Sequence, residues 1–162
     1  EGRLSDHYDP RKRVLRLSPG IYDSPSIAAM AIAAHEVGHA VQHSVGYAPL
    51  AIRNGLVPLV QFSSNAAFPL FFIGLFMNSD PLMTLGILLF MGAVVFQLIT
   101  LPVEYNASNR AVDMLQVSGF LSSGDVQPVG NMLNAAALTY LAGTAVAIAQ
   151  VLRLMLYRNR RR

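Results

Sequence analysis

From Asn54 to Val103 the chain carries a single charged residue, Asp80. That stretch divides at Asn78-Ser79-Asp80-Pro81, a cluster of turn formers. Before the turn, Leu56 to Met77 predicts a membrane-spanning helix. After it, Leu82 to Leu101 predicts a second and cleaner one. Each covers the ~20 residues that a bilayer requires. The first contains Pro58, Pro69, Gln61, Ser63, Ser64 and Asn65. Its polar half is therefore expected to face protein or a wet cavity rather than lipid. A buried hairpin in a soluble protein is the other reading, but 162 residues enclose two such helices poorly. Val126 to Leu152 is again free of charge, and Asn131 to Leu152 predicts a third span.

The remaining segments are shorter. Residues 1–23 are polar and turn-rich, with a strand expected from Arg13 to Leu17. Ser24 suits an N-cap and Pro25 the first helical position. The run from Ser26 to Ala34 tolerates a helix, and Gly46 offers a stop. These signals predict a helix over about 25–45. It is apolar nearly all round and so is expected to be buried in protein or membrane. Ala107 to Val117 predicts a further helix, broken by Ser118-Gly119 and followed by a loop at Ser122-Ser123-Gly124-Asp125. The organisation expected is one membrane-embedded unit over 1–162. It comprises strand and first helix (1–55), hairpin (56–101), a short helix with its loop (102–130), and a third span with a basic tail (131–162).

Composition supports the membrane reading. The chain is 53% hydrophobic and 13% charged, against about 25% charged in ordinary soluble domains. The net charge of +3 could suggest nucleic acid. However, the basic residues cluster at Arg11, Lys12 and Arg13 and at Arg158, Arg160, Arg161 and Arg162, without interleaved aromatics. Anchoring beside a lipid bilayer explains them better. The chain opens on Glu1, and a segment upstream of it is expected.

The predicted helix at 25–45 contains His35-Glu36-Val37-Gly38-His39, the H-E-x-x-H pattern. Residues four apart on a helix share a face. His35 and His39 can then offer two imidazole nitrogens to one Zn²⁺ at roughly 2.0–2.1 Å. Glu36 lies beside them and can poise a water. The competing reading is a buried helix with two satisfied core histidines. Two histidines at this spacing with a Glu between them argue against it. The chain has no Cys, so any zinc must use His and carboxylate.

A catalytic zinc takes three protein ligands. His43 extends the spacing, but it stands about 12 Å from His35 along a continuous helix. In metzincins a glycine turns the chain before the third histidine. Gln42 occupies that position here, so His43 is expected at the rim. Asp80 would lie about 30 Å away, across the bilayer from the start of the hairpin. Glu104 follows the hairpin, which returns the chain to the side it left, and is the preferred third ligand. The other role open to Glu104 is a surface pair with Arg110.

HEVGHAVQH, the preceding SDHYDPRKRVLRLSP and the later LPVEYNASNRA together resemble the YugP-type membrane zinc metallopeptidases, over nearly the whole chain. That family is related to gluzincins such as the HtpX type, whose third ligand lies in an E-x-x-A-D motif. Here the motif reads Glu104-Tyr105-Asn106-Ala107-Ser108. The resemblance implies Glu104 as ligand and Ala107 as the small residue. Ser108 stands where the family has an Asp that orients a zinc histidine. It also implies a transmembrane helix upstream of this chain, residence in a prokaryotic plasma membrane and a site on the cytosolic side. The count of Lys and Arg does not settle orientation. Seven fall on the side of residues 1–55 and 102–130, and five in the C-terminal tail.

The fold class expected is thus mainly α: an integral membrane protein with a gluzincin-like zinc helix, a short β-strand and three transmembrane helices. The function expected is peptide hydrolysis with Zn²⁺ held by His35, His39 and Glu104 and with Glu36 as general base, on peptide or membrane-protein substrates. His7, Tyr105, Asn106 and Arg110 are candidates to steady the oxyanion. The strand at 13–17 could pair with an extended substrate or be an ordinary edge. The alternative is a non-catalytic membrane scaffold with a structural zinc site, against which Glu36 speaks. A transporter or channel subunit has little support, because the spans hold no charge within them. Nucleic acid is not an expected partner, and the sequence sets no oligomeric state.

Overall fold

A computed structural model describes residues 6–160. The expectations attached to Glu1, Arg3, Arg161 and Arg162 lie outside them. The described chain is mainly helical. Its elements are β1 (His7–Asp9), β2 (Val14–Arg16), α1 (Pro19–Tyr22), α2 (Ile27–Ser44), α3 (Ala48–Phe76), α4 (Asp80–Val117) and α5 (Val126–Asn159). By packing they divide into two compact units. One holds the residues up to Ala51 and Pro102–Leu138; the other holds Ile52–Leu101 and the chain from Thr139 onward.

In the first unit, β1 and β2 form an antiparallel hairpin with Tyr8 opposite Leu15. Asp9 builds its turn. The carboxylate accepts the main-chain N–H groups of Arg11 and Lys12 at 2.9 and 3.1 Å, and Arg13 takes a left-handed φ of 54°. The Lys12 N–H foremost holds the Asp9 carboxyl below the ordinary carboxylate range. Asp6 then ties the hairpin to α1, accepting from the Ser18 main-chain N–H at 2.6 Å. Only one strand is predicted from the sequence. β1 was missed because three residues, one of them His, carry no readable alternation.

Helix α2 starts at Ser26, whose hydroxyl accepts the Ala29 N–H at 3.1 Å. The predicted cap, Ser24, instead hydrogen-bonds Ser26. The helix ends as expected at Gly46, with φ 64°. There the N–H groups of Gly46 and Tyr47 return to the carbonyls of His43 and Gln42, closing a Schellman motif. Burial all round is not observed. The buried residues are Ala29, Ala31, Gly38 and Gln42. The helix is apolar chiefly through alanine, which needs little cover.

The core of this unit joins Ala31 to Ala111 and Leu115 of α4, Leu121 of the following loop, and Val129 and Leu133 of α5. One approach in this unit requires a glycine. A Cβ on Gly38 would fall 2.6 Å from the Ala107 carbonyl oxygen. The glycine thus lets the backbones of α2 and α4 approach.

The second unit is built on apolar helix. Phe71 of α3, Met83 and Ile87 of α4 and Leu154 of α5 form its buried cluster. Gly86 lets α4 close on α3, because a Cβ there would meet the Ala67 carbonyl oxygen at 2.7 Å. Arg158 donates to Thr84 at 3.0 Å and pairs with Asp80 at 3.7 Å. Three helices are long and apolar enough to cross a membrane, and in their most apolar windows only 17%, 17% and 11% of residues are buried. Phe62, Phe76, Leu88 and Val146 are among the large apolar side chains turned outward. Water would penalise that surface, whereas lipid would not.

The sequence reading differs from the fold at one further place. It separates a span ending at Leu101 from a helix starting at Ala107, but α4 runs unbroken from Asp80 to Val117 with Pro102 inside it. Proline removes one helical hydrogen bond and is tolerated in apolar helices where neighbours compensate. α4 ends at Val117, and Gly119 follows with φ 74°, as Ser118-Gly119 predicts.

Candidate metal centre

His35 and His39 lie one turn apart on α2, and their rings meet edge to face at 4.8 Å between centroids. Glu104, on α4, lies against both. Its Oε2 is 3.2 Å from His35 Nε2 and 3.7 Å from His39 Nε2. One ligand atom from each of the three residues lies within 4.8 Å of the others. Two donors on a tetrahedral ion, with bonds of roughly 2.0–2.2 Å, stand about 3.4 Å apart. The donor set and spacing therefore fit zinc. The three side chains are mostly buried, with 16%, 12% and 7% exposure.

Both imidazoles are held from behind. His35 Nδ1 meets the Ser108 hydroxyl at 3.1 Å, and His39 Nδ1 meets Gln42 Oε1 at 3.0 Å. Burial works against the charged form of His39. The Glu104 carboxylate outweighs it with help from Gln42 and Glu36, and raises the pKa above the ordinary imidazole value. A cation bound at this ring competes with that proton.

Glu36 is not one of the three clustered ligands, and it meets β1. Its Oε2 accepts the Tyr8 main-chain N–H at 2.9 Å. The Tyr8 hydroxyl bonds His43 Nδ1 at 2.8 Å, so His43 lies beside the strand and outside the cluster. The strand that reaches α2 at Glu36 is therefore β1. β2, the strand foreseen from the sequence, pairs with β1. Asp80 is occupied with Arg158 in the second unit. Arg110, the other partner considered for Glu104, donates through Nε to Asn106 Oδ1 at 2.9 Å. That contact commits Arg110 and the Asn106 oxygen to supporting Gln42. His7 lies on β1, and Tyr105 is half-buried on α4.

Tyr8 and Gln42 were not foreseen. Gln42 was legible in principle, since a buried amide three residues after a ligand histidine shares its face. Tyr8 was not, because its contact with Glu36 runs through the main chain.

Three membrane-length helices and a His, His, Glu cluster define a membrane protein with a candidate metal site. The chain belongs to the family described as "Putative neutral zinc metallopeptidase", which it matches over residues 1–159. It is 47% identical over 161 residues to a Bacillus subtilis (strain 168) protein named "Putative membrane protease YugP", covering 99% of this chain and 72% of that relative. No solved structure matches the chain.

Proposed function

We propose that the chain is a zinc-dependent peptidase of gluzincin type, with His35, His39 and Glu104 holding the metal and Glu36 acting as general base. The observation that carries this reading is the convergence of three ligand atoms from α2 and α4 within 4.8 Å. Zinc, when bound there, supplies Lewis acidity that brings the pKa of water near neutrality and polarises a scissile carbonyl. His35, His39 and Glu104 would hold it through two imidazole nitrogens and one carboxylate oxygen. Glu36 takes a proton from the attacking water and delivers it to the leaving amine nitrogen as the C–N bond breaks. The Tyr8 N–H steadies one oxygen of that carboxylate, leaving Oε1 to hold the proton. Substrates are extended peptides or segments of membrane proteins.

The test is metal analysis combined with proteolysis. The protein purified in detergent should carry about one zinc per chain and cleave an unfolded protein such as casein. A chelator should abolish cleavage, and added zinc should restore it. Zinc at full stoichiometry with no cleavage would favour the scaffold reading. Cleavage indifferent to the chelator would remove zinc from the mechanism.

We further infer that the site faces the cytosol of a prokaryotic cell, which rests on the family resemblance. A cysteine introduced as Ser79→Cys, in the turn between α3 and α4, should then react with an impermeant maleimide applied to intact cells. Reaction only after lysis reverses the orientation.

A further inference from the structure

Gln42 is a fully buried side chain, and all its polar atoms are engaged. Its amide oxygen meets His39 Nδ1 at 3.0 Å. Its amide nitrogen meets the Val103 carbonyl oxygen at 2.8 Å and Asn106 Oδ1 at 3.0 Å. Asn106 Oδ1 also lies 2.9 Å from Arg110 Nε.

The direction of every bond in this chain is fixed by chemistry. A guanidinium only donates, and a main-chain carbonyl only accepts. Arg110 therefore fixes the oxygen of Asn106 toward itself and toward Gln42. The Val103 carbonyl and the Asn106 oxygen then both require N–H groups, and the Gln42 NH₂ supplies the two. Its oxygen is left facing His39 and can only accept, so His39 Nδ1 carries the proton. The lone pair is thereby placed on Nε2, the atom that faces Glu104. His35 differs, because its partner is the Ser108 hydroxyl, which can donate or accept.

We propose that Gln42 is a positioning residue. Held by the Val103 carbonyl and by Asn106 with Arg110, it locks His39 in the Nδ1-protonated tautomer and so presets Nε2 as a metal ligand. The inference rests on the metal site proposed above. The same amide also sets the register of the two helices. It bonds the main chain at Val103, next to Glu104, while gripping the ligand on α2. One side chain thus fixes both the tautomer of His39 and its height against Glu104.

Two substitutions separate this role from simple packing. Gln42→Met fills the space and removes every hydrogen bond. Gln42→Glu keeps an acceptor for His39 Nδ1 and removes both donors. Full-length protein in detergent is measured three ways: zinc affinity by competition with a chromophoric chelator, the visible spectrum of the Co²⁺-substituted protein, and the thermal midpoint. Both variants should melt earlier, because both abandon the Val103 carbonyl. Zinc affinity should fall about 10–100-fold in Gln42→Met, with an altered Co²⁺ spectrum. Gln42→Glu should recover most of that affinity and the parental spectrum. Parental zinc affinity in Gln42→Met overturns the proposal, and so does an equal loss in both variants. If Gln42→Met does not fold, Gln42→Leu takes its place: a fall in zinc affinity of about 10-fold or more supports the role, and parental affinity ends it. A parent chain that binds neither Zn²⁺ nor Co²⁺ overturns this proposal together with the metal site; a parent that binds both confines any failure to Gln42.

Discussion

Glu36→Gln is expected to abolish peptidase activity while leaving zinc in place. Glutamine has the same shape and keeps an acceptor for the Tyr8 N–H that Glu36 now receives at 2.9 Å. It cannot take a proton from water. General-base catalysis contributes typically ~10²–10⁴-fold, or about 3–5 kcal/mol of barrier, so kcat/KM should fall at least into that range. The metal should stay, since the ligand cluster is formed by His35, His39 and Glu104. Zinc content by atomic absorption and casein turnover, measured on the same preparation, check both halves. Loss of zinc together with activity would make Glu36 a structural residue. Activity within a few-fold of the parent would remove it from the mechanism.

Glu104→Ala is expected to purify with little zinc, while His43→Ala and Asp80→Ala each keep about one ion per chain. The Glu104 carboxylate lies 3.2 and 3.7 Å from the two imidazoles and is the negative charge of the set. Without it, two neutral nitrogens remain, and a two-donor site holds zinc far more weakly. His43 is engaged by the Tyr8 hydroxyl, and Asp80 by Arg158. Removing either leaves the three-residue cluster intact. Thermal stability separates these cases further. Asp80→Ala breaks an ion pair that is partly exposed, so its cost should be small. Zinc lost from His43→Ala or Asp80→Ala but kept in Glu104→Ala would refute the ligand assignment.

Much of the architecture was legible from local pattern. One charge between Asn54 and Val103, with turn formers around Asp80, defines two long apolar helices, because apolar length is a property of consecutive residues. Gly46 and Gly119 mark helix ends for an equally local reason: their left-handed φ is closed to most other residues. His35, Glu36 and His39 were legible because their chemistry is spaced at one helical turn. Local pattern failed where distant contacts decide. The sequence suggests a span ending at Leu101 and a separate helix from Ala107, yet α4 continues through both and through Pro102. Ser24 reads as the cap, yet Ser26 takes that role.

The sequence by itself determined the candidate ligands, the helix that carries two of them and the three long apolar segments, since each depends on periodicity, hydropathy or a motif within one element. Only the tertiary structure decided how the cluster is assembled and held. The approach of α2 to α4 depends on Gly38 meeting the Ala107 carbonyl. Gln42 reaches Val103 and Asn106 far along the chain, and β1 presents a main-chain N–H to Glu36. Such contacts join groups that are remote in sequence or belong to the backbone, and neither leaves a periodic trace in the order of residues.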